Sequence, residues 1–171
     1  TSRWVERITG LLGITPDQPF LKAQRAECGE LLSDVRPTLR HLLLEHTDEL
    51  CLSVGAHADV VRGILEFGCG ELSLPKGICW CDSPDMASGE IPYFAEEQWT
   101  GAVRARQKGL LMASGEALVW AGRNRALQIS NPDVSRRLNP YLPPFVGFRG
   151  AIHLIDLWVN AVMEQEQEDE D

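Results

Sequence analysis

Apolar positions along the chain follow two rhythms. Trp4, Val5, Ile8, Leu11 and Leu12 recur at helical spacing, and Gly13 stops the run. ITPDQP then reads as a linker. From Phe20 to about His46 the helical pattern returns, with Pro37 either kinking one helix or opening a second. After that, short apolar runs alternate with amphipathic ones. ELCLSVG, KGICWC, GLLMAS and ALQIS read as strands at about 50–54, 77–81, 109–113 and 126–130. ADVVRGILEFG, EEQWTGAVRARQ and GEALVWAGR read as the helices between them, the first stopped by Gly68. Strands alternating with helices of this size predict an α/β fold. The expected form is a Rossmann-like parallel sheet of about four strands with helices on both faces.

The last apolar run is the longest. From Ala151 to Met163 it is broken only by His153, Asp156 and Asn160. Together with Arg149 and Glu164 these are spaced by four, three, four and four, which lines them up as one narrow stripe on a helix. The pattern predicts a mostly buried closing helix that shows a thin polar edge to water, a partner or a site. Leu154, Ile155, Leu157, Trp158 and Val162 lie off that edge and are its expected core positions. The whole chain divides into leading helices over 1–47, a Rossmann-like core over 48–146, a closing helix over 147–166 and an acidic tail over 167–171, all within one α/β domain.

Composition narrows the function classes. The 171 residues suffice for a domain with a real core. A net charge of −9 argues against a nucleic-acid partner, since phosphate binding needs clustered Lys and Arg. Much of the excess lies between Glu164 and Asp171, where a charge block is expected to be a solvated tail. No apolar run reaches the roughly 18 residues of a membrane span. The five cysteines, Cys28, Cys51, Cys69, Cys79 and Cys81, are odd in number and lack a framework spacing. They imply reduced thiols and a cytoplasmic location.

Candidate chemistry is sparse. Ligands of an open parallel sheet bind beyond the C-terminal strand ends, here the loops after Val54, Cys81, Ala113 and Ser130. VGAHADV carries one glycine rather than the three of a dinucleotide fingerprint. Ser114 is positioned to cap the helix after ASG. Cys79 and Cys81 share a strand face and offer two thiols where a metal or cluster usually takes four, so packing is the expectation for them. His153 and Asp156 are spaced to act as a proton-transfer pair, or simply to edge the helix with a local hydrogen bond. His41, His46 and His57 fit no catalytic arrangement. No catalytic residue is assigned.

Taken in order, several segments resemble the C-terminal domain of the nitrogenase component-1-type family. That family spans nitrogenase molybdenum–iron protein subunits, their cofactor-assembly homologues and the protochlorophyllide reductase subunits. TSRWVERITGLLGI and FLKAQRAECGELLSDV resemble that domain's opening. LCLSVGAHADVVRGILEFGCGEL resembles the strand, turn and helix that follow, and GLLMASGEALVWAGRNRALQISNP the late strand–helix–strand, with Ala113, Ser114 and Gly115 at its small-residue turn. PFVGFRGAIHLIDLWVNAVM is the most specific part: Gly147, Phe148, Gly150 and Asn160 match a Gly-aromatic-x-Gly turn and an Asn-bearing apolar helix. This stretch looks more like the β-type branch, and ISNPDVSRRLNPYLPPFVGFRG with Asp156 leans towards its protochlorophyllide reductase B side.

The resemblance covers nearly all of this chain and about the last third of a typical member. It implies part of a reductase component that takes electrons from an ATP-dependent iron protein, in nitrogen fixation or tetrapyrrole reduction, and has no activity alone. It also implies a paralogous subunit as partner. The iron–sulfur cluster or metallocluster would belong to the complete assembly, with no cofactor in this segment. The alternatives are a cluster-assembly scaffold subunit and a non-catalytic interaction domain. Arg149, His153, Asp156 and Asn160 are the candidate interface residues.

Overall fold

A computed structural model describes residues 51–105, 109–113, 115–121, 125–129 and 147–170, together with Gly13 and scattered positions between Pro19 and His41. Those scattered positions are helical, Pro37 among them. The first predicted helix, the linker before Pro19 and the segment 131–146 lie outside the described residues.

Four strands form one sheet: β1 (Leu52–Ala56), β2 (Lys76–Cys81), β3 (Leu110–Ala113) and β4 (Arg125–Gln128). All pair in parallel, in the order β2-β1-β3-β4. Each lies within two residues of its predicted bounds. The helices between them are α1 (Ala58–Leu65), α2 (Glu96–Ala105) and α3 (Gly115–Val119), and α4 (Gly147–Glu170) closes the described chain.

Strand alternation explains the layers. Leu52 and Val54, Cys79 and Cys81, and Leu110 and Met112 join one apolar cluster with Ala58, Val61 and Ile64 of α1 and with Leu154, Ile155, Trp158 and Ala161 of α4. The intervening Trp80, Leu111 and Ala113 join a second cluster with Val103 of α2 and Ala117 and Leu118 of α3. Helices thus cover both faces, as a sheet buried on both sides requires.

Two local devices shape the sheet. Between Leu52 and Val54 the β1–β2 register slips by a residue, a bulge on the β2 side. Ser53 is buried there, and its hydroxyl accepts the Ile78 N–H at 3.2 Å. Beside it, Gly55 faces the Trp80 indole so closely that a Cβ would land on the ring. Trp80 in turn stacks on Trp99 of α2, centroids 6.2 Å apart and planes 8° apart.

The structure differs from the sequence expectation at three places. The helix expected to stop at Gly68 instead continues as a π-helical turn, Glu66–Glu71. This wider turn sets Gly68 against Leu52, Leu74 and the Trp158 indole, where a side chain would collide. Secondly, α4 is buried on one face only. Leu154, Ile155, Trp158 and Ala161 are buried, Leu157 is half-buried, and Met163 is 45% exposed. A single sheet face is available to it, so apolar residues off that face stay outside. The side chain of Val162 lies outside the described residues. Thirdly, the closing helix does not give way to a tail at 167 but runs to Glu170. Its Glu and Gln are good helix formers, and propagation from a docked segment adds a bond for each residue fixed.

Candidate functional site

The strand order reverses direction between β1 and β3, so the crevice of this sheet lies where those two strands end. β1 delivers His57, which is exposed and precedes α1. Its carbonyl accepts the N–H groups of Val60 and Val61, at 2.9 and 3.0 Å, and its side chain makes no cap. The first turn of α1 already carries a carboxylate, Asp59, paired with Arg62 at 2.9 Å on the surface. That negative charge opposes an anionic ligand at this helix start. The one glycine near it, Gly55, is taken up by packing under Trp80 rather than by a close approach to phosphate.

The neighbouring strand ends add little chemistry. Asp82, exposed beyond β2, donates its backbone N–H to Ala56 O at 3.3 Å. Ile129, beyond β4, donates to Ala113 O at 3.1 Å. Ser114, the predicted cap after β3, lies outside the described residues. His57 and Asp82 thus lie at the ends of the adjacent strands β1 and β2, with Asp82 on the side of β1 away from β3. Sequence reading sets His57 aside as fitting no catalytic arrangement and does not single out Asp82, because nothing local marks a lone His and a lone Asp that strand pairing brings to adjacent strand ends.

Cys79 and Cys81 share a face, as their spacing predicts, and that face is the apolar core. Cys79 Sγ donates to Glu90 O at 3.3 Å, and Cys81 Sγ to Ser83 O at 3.2 Å. The pair thus offers two core-facing thiols, where a metal or cluster usually takes four ligands. Cys51 is buried, Cys69 is half-buried, and Cys28 lies outside the described residues. Among the described residues, no three His, Cys, Asp or Glu side chains gather as metal ligands would. Nor is any described helix long and apolar enough to cross a membrane.

The polar stripe of α4 is divided. Asp156 and Asn160 are exposed and bonded to each other, Asn160 Nδ2 donating to Asp156 Oδ1 at 3.3 Å. His153 is half-buried, with its Nε2 sealed from solvent. The Arg149 side chain lies outside the described residues. The solvent-edge arrangement is thus present for Asp156 and Asn160. The turn that opens the helix is better defined. Gly147 has φ +72°, a conformation that favours glycine, and Gly150 is buried.

The opposite sheet face has an aromatic feature that the sequence hides. Arg104 of α2 lies 3.7 Å over the ring of Trp120, which follows α3. Trp120 is 39% exposed and Val119 64%. The chain matches no protein-family model and no curated protein.

Proposed function

We propose that the chain is a Rossmann-like domain of a nitrogenase-like reductase component, one that receives electrons from an ATP-dependent iron protein for nitrogen fixation or tetrapyrrole reduction. The supporting observation is the opening of α4. In the Gly-aromatic-x-Gly turn that carries the resemblance, Gly147 adopts a positive φ and Gly150 is buried. The turn thus has a backbone reason for its first glycine, and it launches a helix that docks on a four-stranded parallel sheet.

In this reading the domain's part is architectural. Cys79 and Cys81 face the apolar core, and in this reading cluster chemistry belongs to other parts of the assembly. The exposed Asp156–Asn160 edge, with Arg149 and His153 on the same stripe, is the surface offered to a paralogous subunit. A cytoplasmic setting suits the reduced thiols of Cys69, Cys79 and Cys81.

The test is anaerobic purification of the full natural gene product, followed by mixing with an iron protein and ATP. Co-elution with a paralogous subunit and ATP-dependent reduction of dinitrogen or a tetrapyrrole is the expected result. A bound cluster passed on without turnover would mean a scaffold. Failure to associate with any iron protein or paralogue would leave an interaction domain and overturn the proposal.

A further inference from the structure

The sheet face opposite α4 carries an exposed apolar step with a cation fixed on it. The end of α3 tightens into a turn, in which Trp120 N–H donates to Ala117 O at 3.3 Å and Ala121 N–H to Leu118 O at 3.2 Å. Leu118 and Ala121 go into the core, and Val119 and Trp120 are left exposed side by side. Arg104, itself exposed in the last turn of α2, holds its guanidinium 3.7 Å over the Trp120 ring. Such a stack orients the indole and keeps a positive charge beside it. The step also falls in the basic stretch of an acidic chain. From Arg104 to Arg125 there are five basic residues, Arg104, Arg106, Lys108, Arg123 and Arg125, against the single acidic Glu116, a local +4 in a chain of net charge −9. Adjacent exposed apolar residues in a charged rim mark a contact surface for an acidic partner.

α4 carries the complementary chemistry. Ala161 is the last buried position among its described residues, Met163 is exposed, and the helix continues to Glu170, roughly 13 Å beyond Ala161. Six of the eight residues 164–171 are acidic and none is basic. These charges oppose the helix that bears them. They sit at the negative end of its dipole, and Glu164 with Glu168, like Glu166 with Glu170, repel at a spacing of four. Basic groups brought from outside relieve both effects. Those of the same molecule are badly placed to do so, because α4 packs on one face of the sheet and α2 and α3 on the other.

We propose that the step of Val119, Trp120 and Arg104 receives Met163 and the acidic end of α4 from a second copy of this chain. The thioether of Met163 meets the indole, a favourable pairing, and the carboxylates that follow meet Arg104 and the basic stretch around it. The two surfaces differ, so the association is head-to-tail. It does not use Asp156 or Asn160, and so stands or falls separately from the paralogous-subunit contact proposed above.

The experiment is sedimentation equilibrium of the full chain at high micromolar concentration, in about 0.05 M and about 0.5 M NaCl. Association is expected at low salt, weakened at least about tenfold at high salt. Two multiple variants then break one surface each. One combines Arg104→Glu with Val119→Glu; the other changes Glu164, Glu166, Glu168 and Glu170 to Gln. Each alone should be monomeric, and an equal mixture should restore a dimer, since each supplies the surface the other lacks. A wild-type chain that is monomeric at low salt, or association indifferent to salt, would overturn the proposal. So would association of either variant alone, or a monomeric mixture of variants whose circular dichroism matches wild type. The wild-type salt series decides even if a variant folds poorly.

Discussion

Truncating Trp158 to Ala removes the centre of the contact between the closing helix and the sheet. The side chain is 0% exposed. Its ring stacks on Phe67, centroids 5.8 Å apart at 29°, and its Nε1 donates to Met112 Sδ at 3.2 Å. Burying about 200 Å² of aromatic surface at about 25 cal/mol per Å² gives about 5 kcal/mol. A realistic unfolded chain already hides part of that area, which lowers the figure to about 3–4.5 kcal/mol. The Phe67 stack restores about 0.5–1.5 kcal/mol. The Ala methyl retains about 0.8 kcal/mol of this, so the expected loss is about 3–5 kcal/mol, in line with large aromatic truncations generally. Against a total stability of about 5–15 kcal/mol, that is a large share. At this chain length it lowers the melting temperature by roughly 6–20 °C. The assay is far-UV circular dichroism with urea and heat, beside Asp156→Ala as the exposed control, expected to lose under about 1 kcal/mol. Equal, small losses in the two variants would refute docking of α4 through Trp158. A large loss from Asp156→Ala alone would mean that the polar edge is held in a specific buried contact.

Two further outcomes are expected. Gly55→Ala places a Cβ on the Trp80 indole and should destabilise by about 1–3 kcal/mol, with a red shift of tryptophan emission as the Trp80–Trp99 stack opens; an unchanged urea midpoint would refute the packing. The Cys69 thiol, raised by burial from its ordinary value of 9.0, keeps its proton longer in the folded than in the unfolded chain. Its contribution to stability is thus present below pH 9.0 and is lost as pH rises through the raised value. Urea midpoints above pH 9.0 should fall more steeply for wild type than for Cys69→Ser; parallel curves would contradict the burial.

The sheet was legible because its signal is local. ELCLSVG, KGICWC, GLLMAS and ALQIS each carry apolar runs of strand length bounded by helix or glycine, and all four became strands. The shared face of Cys79 and Cys81 follows from the two-residue period alone. What stayed hidden depends on contacts distant in sequence. Gly55 reads as a turn residue until Trp80 is seen lying over it. Gly68 reads as a helix stop, yet it lies inside a π-helical turn where a side chain would collide with Leu52 and crowd the Trp158 indole. On α4 the apolar positions outnumber what one sheet face can cover, so periodicity located the polar edge but could not say that Met163 would remain outside. The placing of His57 and Asp82 at adjacent strand ends had no signal, since only the pairing of β1 with β2 produces it.

The strand order also bears on how the chain is made. β1 is central, flanked by β2 on one side and β3 on the other, and both partners follow it in sequence. As the chain leaves the ribosome, Leu52 and Val54 emerge before either of their partner strands, β2 and β3. One side of β1 can be satisfied once β2 appears, after a single crossover through α1. The other side must wait through β2, residues 82–95 and α2 until Leu110–Ala113 is synthesised. Throughout that interval β1 presents an unpaired edge with apolar residues, a state open to pairing with other chains. Pairings this distant in sequence also slow folding, because loop closure precedes their stabilising contacts. Yield of native protein should therefore depend on synthesis rate and chaperone supply more than the number of strands alone suggests.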